Sequence, residues 1–193
     1  MSHSADLDRK VLAAVERLGR ALRAARQDVA TRHEVSLLGL SVIETLADGR
    51  PRRVGDLAAE LDVSQPTVSD AVTVLDKRGL IRRDRDPADL RSTLVALTDD
   101  GDRLAAATAT ELAPLLAAGS GTDADRATTL RVLLGEIARL QAAGVITVNR
   151  SCLSCRHYQP PGPRSRARCL LLATALADRD LRVDCPEHEP IPA

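Results

Sequence analysis

VGDLAAELDVSQPTVSDAVTVLDKRGLIRRDRDPADLRSTLVALT, residues 54–98, is the stretch whose reading decides the fold. Val54, Leu57, Ala58 and Leu61 recur at i, i+3, i+4 and i+7, the spacing of a short amphipathic helix. Asp62 and Val63 break it. Ser64 is a good N-cap for a second helix, and Pro66 is tolerated in the first turn, where a backbone N–H has no partner to lose. Val68, Val72 and Leu75 form the buried stripe of that helix. Lys77, Arg78 and Gly79 give it a basic last turn and a glycine stop. Two strand-like runs follow, Leu80–Arg83 and Ser92–Thr98, joined by a polar loop that holds Pro87. Helix, turn, helix and two-stranded hairpin make a winged helix-turn-helix.

The exposed side of the second helix offers Ser64, Gln65, Thr67, Ser69, Asp70, Thr73 and Lys77, short polar or long basic groups suited to base edges and phosphates. Alone, this would be an ordinary solvated helix face. The hairpin shifts the balance. It carries Arg82, Arg83, Arg85 and Arg91, a cationic projection suited to phosphates or a minor groove.

In Asp56-Leu57-Ala58, Val63 to Ser69, Leu75 to Arg83, Asp89-Leu90-Arg91-Ser92 and Leu97 to Gly101 the sequence resembles the MarR-type transcription regulators. The resemblance runs roughly from Leu7 to Ala143. It implies a dimeric repressor of duplex DNA, released by a small, often aromatic, acid bound between the dimer helices and the winged domain. It also implies that Arg91 enters the minor groove and that Asp89 fixes it. Asp70 departs from the family, many of whose members carry arginine there, and this leaves the operator sequence open.

Outward from this centre, the chain reads as mainly α with a small β-hairpin wing, the winged helix-turn-helix being flanked by dimerisation helices. Residues 1–6 read as disordered. Leu7, Val11, Val15, Leu18, Leu22 and Ala25 step by three or four, giving a first amphipathic helix. Residues 1–30 are thus assigned to an N-terminal dimerisation helix and 31–98 to the DNA-binding domain, whose first helix spans Ser36–Leu46 and ends at the turn Asp48–Pro51. Residues 99–145 are assigned to C-terminal dimerisation helices. Pro114 should kink or shorten the first of these, and Thr122 or Asp123 caps the second, with Leu130, Leu133, Leu134, Ile137 and Leu140 as its stripe. Such helices form either a satellite bundle within one subunit or, as the resemblance favours, a two-fold dimer whose reading helices meet a pseudo-palindrome.

Composition bounds the alternatives. Lys and Arg number 27 and so do Asp and Glu, so only a local basic patch can serve DNA. Aromatic residues make up 1%, with no Phe or Trp, which leaves no stacking platform for RNA or single strands. No run of about 18 apolar residues and no signal-peptide core is present, so the expectation is a cytoplasmic protein away from membranes.

Residues 146–193 form a second element. All four cysteines lie here, Cys152, Cys155, Cys169 and Cys185, spaced C-x2-C-x13-C-x15-C. In a reducing compartment such a set favours a metal over disulfides. Four thiolates need a cation and a basic surround, which Arg150, Arg156, Arg164, Arg166 and Arg168 supply. Pro160–Pro163 should let the third cysteine fold back towards the first pair. Widely spaced single third and fourth cysteines suit an iron–sulfur cluster held by several loops. The alternative is structural zinc, with Cys185-x2-His188 as a second knuckle, and metal-free redox thiols come last. His157 and His188 are held in reserve as ligands. The segment also resembles the small iron–sulfur modules that accompany glycyl-radical decarboxylases.

Three functional classes follow: a DNA-binding regulator sensing redox, oxygen or iron through the cysteines, or a small ligand with the tail as a zinc clip; a Cys155–His157 enzyme; and a protein-binding winged helix. No Gly-rich phosphate loop, carboxylate pair or nucleophile elbow supports the enzyme, and the arginine-rich wing opposes the third class.

Overall fold

The computed structural model describes residues 3–87, 89–117 and 121–191, with the side chains of 3–4, 90–91 and 115–117 outside that description. The chain divides into two compact units, Met1–Ala118 and Gly119–Ala193.

The first unit begins with helix α1, His3–Arg32. The helix starts earlier than the leucine spacing suggests. Asp6 sits in its first turn, where a carboxylate suits the helix dipole, and pairs with Arg9 and Lys10. Met1 and Ser2, also read as disordered, lie outside the described residues. Helix α2, Leu37–Leu46, is capped by Ser36, whose hydroxyl accepts from Gly39 N. Helix α3, Val54–Glu60, ends at Asp62, which takes a positive φ of 54°. Helix α4, Gln65–Lys77, is capped by Ser64 accepting from Thr67 N, with Pro66 in its first turn. At its far end Gly79 has φ 69°, and Leu80 N returns to Leu75 O at 3.0 Å, the left-handed stop that glycine allows.

The wing is larger than the apolar pattern implies. Strand β2 is Ile81–Asp86 and β3 is Asp89–Leu97, paired antiparallel from Ile81↔Leu97 to Arg85↔Thr93, with a bulge before Asp86. A further short strand, β1 (Arg52–Arg53), pairs with β3 at Val95 and Leu94, giving sheet order β1-β3-β2.

Helix α5, Asp99–Ala117, then runs one turn past Pro114. Gly101 is required here. A Cβ at that position would lie 2.0 Å from Leu80 O, so only glycine lets α5 approach the foot of the wing. Leu40, Ile43, Leu46, Leu57, Val68, Val72, Leu75 and Val95 fill a core that takes in Val29 and Ala30 of α1 and Ala105 of α5. The flanking helices are therefore tied into the winged domain at one end. Leu7, Val11, Leu12, Val15 and Leu18, at the other end of α1, stay exposed.

The second unit opens with helix α6, Asp123–Ala142. Thr122 and Asp125 form its capping box, Asp125 N donating to the Thr122 hydroxyl and Thr122 N to the Asp125 carboxylate at 2.8 Å. Helix α6, grouped with α5 in the sequence reading, falls in the same compact unit as the cysteine segment. Its tertiary neighbours in that unit are two 3-10 turns, Cys152–Ser154 and Asp178–Asp180. The remainder is a small antiparallel sheet of β4 (Tyr158–Gln159), β5 (Ala167–Cys169) and β6 (Thr174–Leu176), in that order. No described helix is long and apolar enough to cross a membrane.

Candidate nucleic-acid interface and cysteine centre

Helix α4 turns its apolar stripe, Val68, Val72 and Leu75, into the core, which leaves Gln65, Thr67, Asp70 and Lys77 exposed and Ser69 and Thr73 half-buried. Ser64 and Thr67 engage each other, their hydroxyls 2.6 Å apart. Ser64 therefore serves the helix end before it serves any ligand. Gln65 and Ser69 look into a groove whose other wall is Arg53, Arg83, Ser92 and Thr93 of the sheet.

The wing arginines divide by partner. Arg83 bends back onto α4, donating to Thr73 Oγ1 at 2.9 Å and pairing with Asp76 Oδ2 at 3.0 Å. It links wing to helix instead of standing free. Arg82 pairs with Asp84 at 2.9 Å and donates to Leu97 O. Arg85 is exposed near the tip. Asp89 accepts from the Ser92 hydroxyl at 2.7 Å. The side chain of Arg91, the residue implied to enter the minor groove, lies outside the described residues.

Sequence reasoning missed Arg53. Its Nε donates at 2.8 Å to Asp86, which is only 6% exposed at the bulge of the wing. The Asp86 carboxylate in turn holds the Arg53 guanidinium more firmly protonated, by hydrogen bond first and by charge second. The available signal was the alternation of arginine with aspartate along 83–86, with Arg52-Arg53 as nearby cations in the sequence.

A separate hollow of about 350 Å³, open solvent included, is lined by all four cysteines with His157, Tyr158, Leu171, Leu172, Leu176 and Glu187. Three local structures bring the thiols together. Cys152 opens one 3-10 turn and Cys155 caps its end, with Cys155 N donating to Cys152 O. Cys169 stands opposite Tyr158 because the proline-rich connector closes the β4–β5 pair. Cys185 is placed by its own N–H on Arg150 O at 3.0 Å.

Arg182 braces two of the thiols. Its N–H donates to Cys152 Sγ at 3.2 Å, its carbonyl accepts from Cys152 N, and its Nη1 donates to Cys185 Sγ at 3.6 Å and to Glu187 Oε2 at 3.1 Å. Burial pushes the Cys152 thiol up, and the other three cysteines add to that. Among the described residues, no group of three or more His, Cys, Asp or Glu side chains closes in as a site for one metal ion. Of the reserve residues, His157 lines the hollow, while His188 Nε2 lies 3.0 Å from the Ser154 hydroxyl. His157 Nε2 lies 3.1 Å from Glu189 Oε1.

Comparison with known proteins agrees on the first unit's architecture. Residues 35–92 match the model of the MarR family, a family of transcription regulators and not of enzymes. Three crystal structures share the fold. The transcriptional regulator BldR from Sulfolobus solfataricus is 21% identical, covering 72% of this chain and 99% of its own, with TM-score 0.58. A MarR family transcription regulator is 24% identical, covering 73% and 94%, with TM-score 0.63. CouR from Rhodococcus jostii RHA1, bound to p-coumaroyl-CoA, is 23% identical, covering 65% and 89%, with TM-score 0.55. No curated protein matches the chain.

Proposed function

We propose that this chain, whose residues 35–92 carry a MarR-family winged helix, is a homodimeric repressor of a pseudo-palindromic operator that senses through its four cysteines. The observation that carries the DNA reading is the groove where Gln65 and Ser69 of α4 face Arg53, Arg83 and Thr93 of the wing. Gln65 and Ser69 have the donors and acceptors to meet base edges in a major groove, and Lys77 and Arg85 have the charge for phosphates. A second subunit packed on the exposed stripe of α1 would present a second reading helix about one DNA turn away.

The cysteine hollow supports an iron–sulfur cluster as the sensor. Four thiols line one cavity with leucine and tyrosine walls. The third and fourth cysteines stand singly and far apart in the sequence, which suits a cluster held by several loops. Cys152, Cys155, Cys169 and Cys185 would hold it. When bound, it supplies one-electron chemistry and sensitivity to oxygen and iron supply. The chain's own part is to hold four anions together, with Arg182 as the adjacent cation, and to line the hollow with Leu171, Leu172 and Leu176.

A second reading has its own observation. A hollow of about 1200 Å³, open solvent included, lies between α1, α2 and the α3–α4 turn, lined by Leu22, Arg23, Arg26, Leu37, Ser41 and Val63. An anionic ligand with an apolar body fits such walls, and the tail would then be a structural zinc clip.

The test is an anaerobic purification with an absorption spectrum, metal analysis and a genomic DNA selection. Brown protein with several irons per chain and salt-sensitive operator binding is the expected result. Colourless protein with about one zinc would return the signal to the α1–α2 hollow, and failure to enrich any DNA fragment would overturn the regulator.

A further inference from the structure

We propose that the cysteine centre acts through α6, and that Asn149 is the residue that couples them: metal loading holds α6 in place, and metal loss releases it. This rests on the reading of the cysteines as a metal centre.

The second unit has almost no core. Among its described residues the buried apolar side chains are Leu134, Cys155, Ala167 and Leu181. Its strands are two or three residues long. A fold of this kind is not held by apolar burial, and small domains without a core rely on metals or disulfides. The cysteines are free thiols, so metal binding would provide the folding free energy of the segment.

Helix α6 depends on that segment. It has a good N-cap, but most of a helix's stability in a protein comes from tertiary packing of its apolar face. Ala127, Leu130, Leu134, Ala138 and Gln141 lie on its more buried side, and Leu134 is 1% exposed. Arg131 Nε pairs with Asp178 Oδ2 of one 3-10 turn at 2.9 Å. A second polar contact is made by Asn149. Its Oδ1 accepts from Ser151 N at 2.9 Å, one residue before Cys152, and its Nδ2 donates to Gln141 Oε1 of α6 at 3.1 Å. Its carbonyl accepts from the Ser154 hydroxyl. Asn149 is 8% exposed and Ser151 fully buried, so this amide bridges the first cysteine turn and the helix out of water. The turn that carries Cys152 and Cys155 therefore cannot loosen without disturbing the last turns of α6. The sequence reading assigns α6 to the dimerisation helices, and in that role its release would lower operator affinity.

The experiment uses the full chain, loaded anaerobically with iron and sulfide or with zinc, against the same chain stripped by a chelator and kept reduced. Backbone hydrogen exchange is followed over 123–142, with 65–77 as the internal control. Stripping should speed exchange in α6 at least tenfold and leave α4 unchanged. Coupling is reciprocal, so Leu134→Ala and Asn149→Ala should each let a competing chelator extract the metal at about tenfold lower concentration, whereas Val132→Ala, on the exposed side, should not. A chain that metal analysis proves loaded, but whose α6 exchange is unchanged on stripping, overturns this proposal alone. Unchanged chelator midpoints in both Leu134→Ala and Asn149→Ala also overturn it. A chain that takes up neither metal overturns the centre as well.

Discussion

The two compact units are built on opposite principles. The first packs more than a dozen buried aliphatic side chains from α1 to α5 into one core, and its polar groups serve caps, the wing and the groove. The second, 75 residues long, buries four apolar side chains among those described and instead draws four thiols around a hollow. Apolar burial is insensitive to oxygen or iron, whereas thiolate ligation is sensitive to both. Under the proposed function, a chain that binds DNA steadily and responds to a signal would gain by keeping these two kinds of stability in different places.

The sharpest way to break the comparison is to damage each unit in its own terms. Leu75→Ala removes a fully buried core side chain of α4 and should cost the first unit about 2–5 kcal/mol, read as a lower urea midpoint by circular dichroism. Cys169→Ser should abolish metal retention and speed hydrogen exchange throughout 121–191, yet leave the first unit's midpoint within about 0.5 kcal/mol of the parent. One cooperative transition that shifts equally in both variants would show that the units are not energetically separate.

A smaller effect is expected at the proposed DNA interface of the first unit. Arg53→Ala leaves the buried Asp86 without the guanidinium that holds it, so the bulge of the wing should loosen. Operator affinity should fall about tenfold in a fluorescence-anisotropy titration, with the protein still folded. Unchanged affinity would mean that Arg53 steadies the sheet without shaping the interface.

The second unit gives a test of sign. Arg182 places a positive charge beside Cys152 and Cys185, and Glu187 places a carboxylate on Arg182. With a cluster bound, Arg182→Ala should lower its midpoint potential by about 30–60 mV, because the more negative reduced form loses its nearest cation. Glu187→Gln should raise it by less. Shifts of the same sign in both would rule out a local charge effect.

What was legible in the sequence follows the same division. Apolar periodicity over 54–75, the Ser64 cap and the Gly79 stop named the winged helix because a core enforces spacing. The cysteine spacing pointed to one site, and the four cysteines do line one hollow. Three features were not legible. Strand β1 is two arginines long, too short to alternate. The wing extends through charged residues whose strand form comes from pairing with β3, not from their own preference. The grouping of α6 with the cysteine segment rests on Asn149 and Leu134, single residues that carry no motif.

The smallest effect lies where α1 meets α5 at the surface. Glu111 accepts from Arg32 Nε at 3.1 Å and lies 2.7 Å from His33 Nε2. Hydrogen bonds from Arg32 first, then His33, hold its carboxyl below the usual carboxylate range. A carboxylate whose folded value is depressed stabilises the fold above its unfolded value, and that contribution is lost as pH falls through the folded value. Glu111→Gln should therefore unfold at a slightly lower urea concentration than the parent at neutral pH. The gap should close as pH falls through the depressed folded value, where the Glu111 carboxyl becomes neutral like the amide. It should also shrink in high salt, because the group is exposed and its charges are screened. A gap that persists in acid would mean that shape at the α1–α5 contact, and not charge, makes the difference.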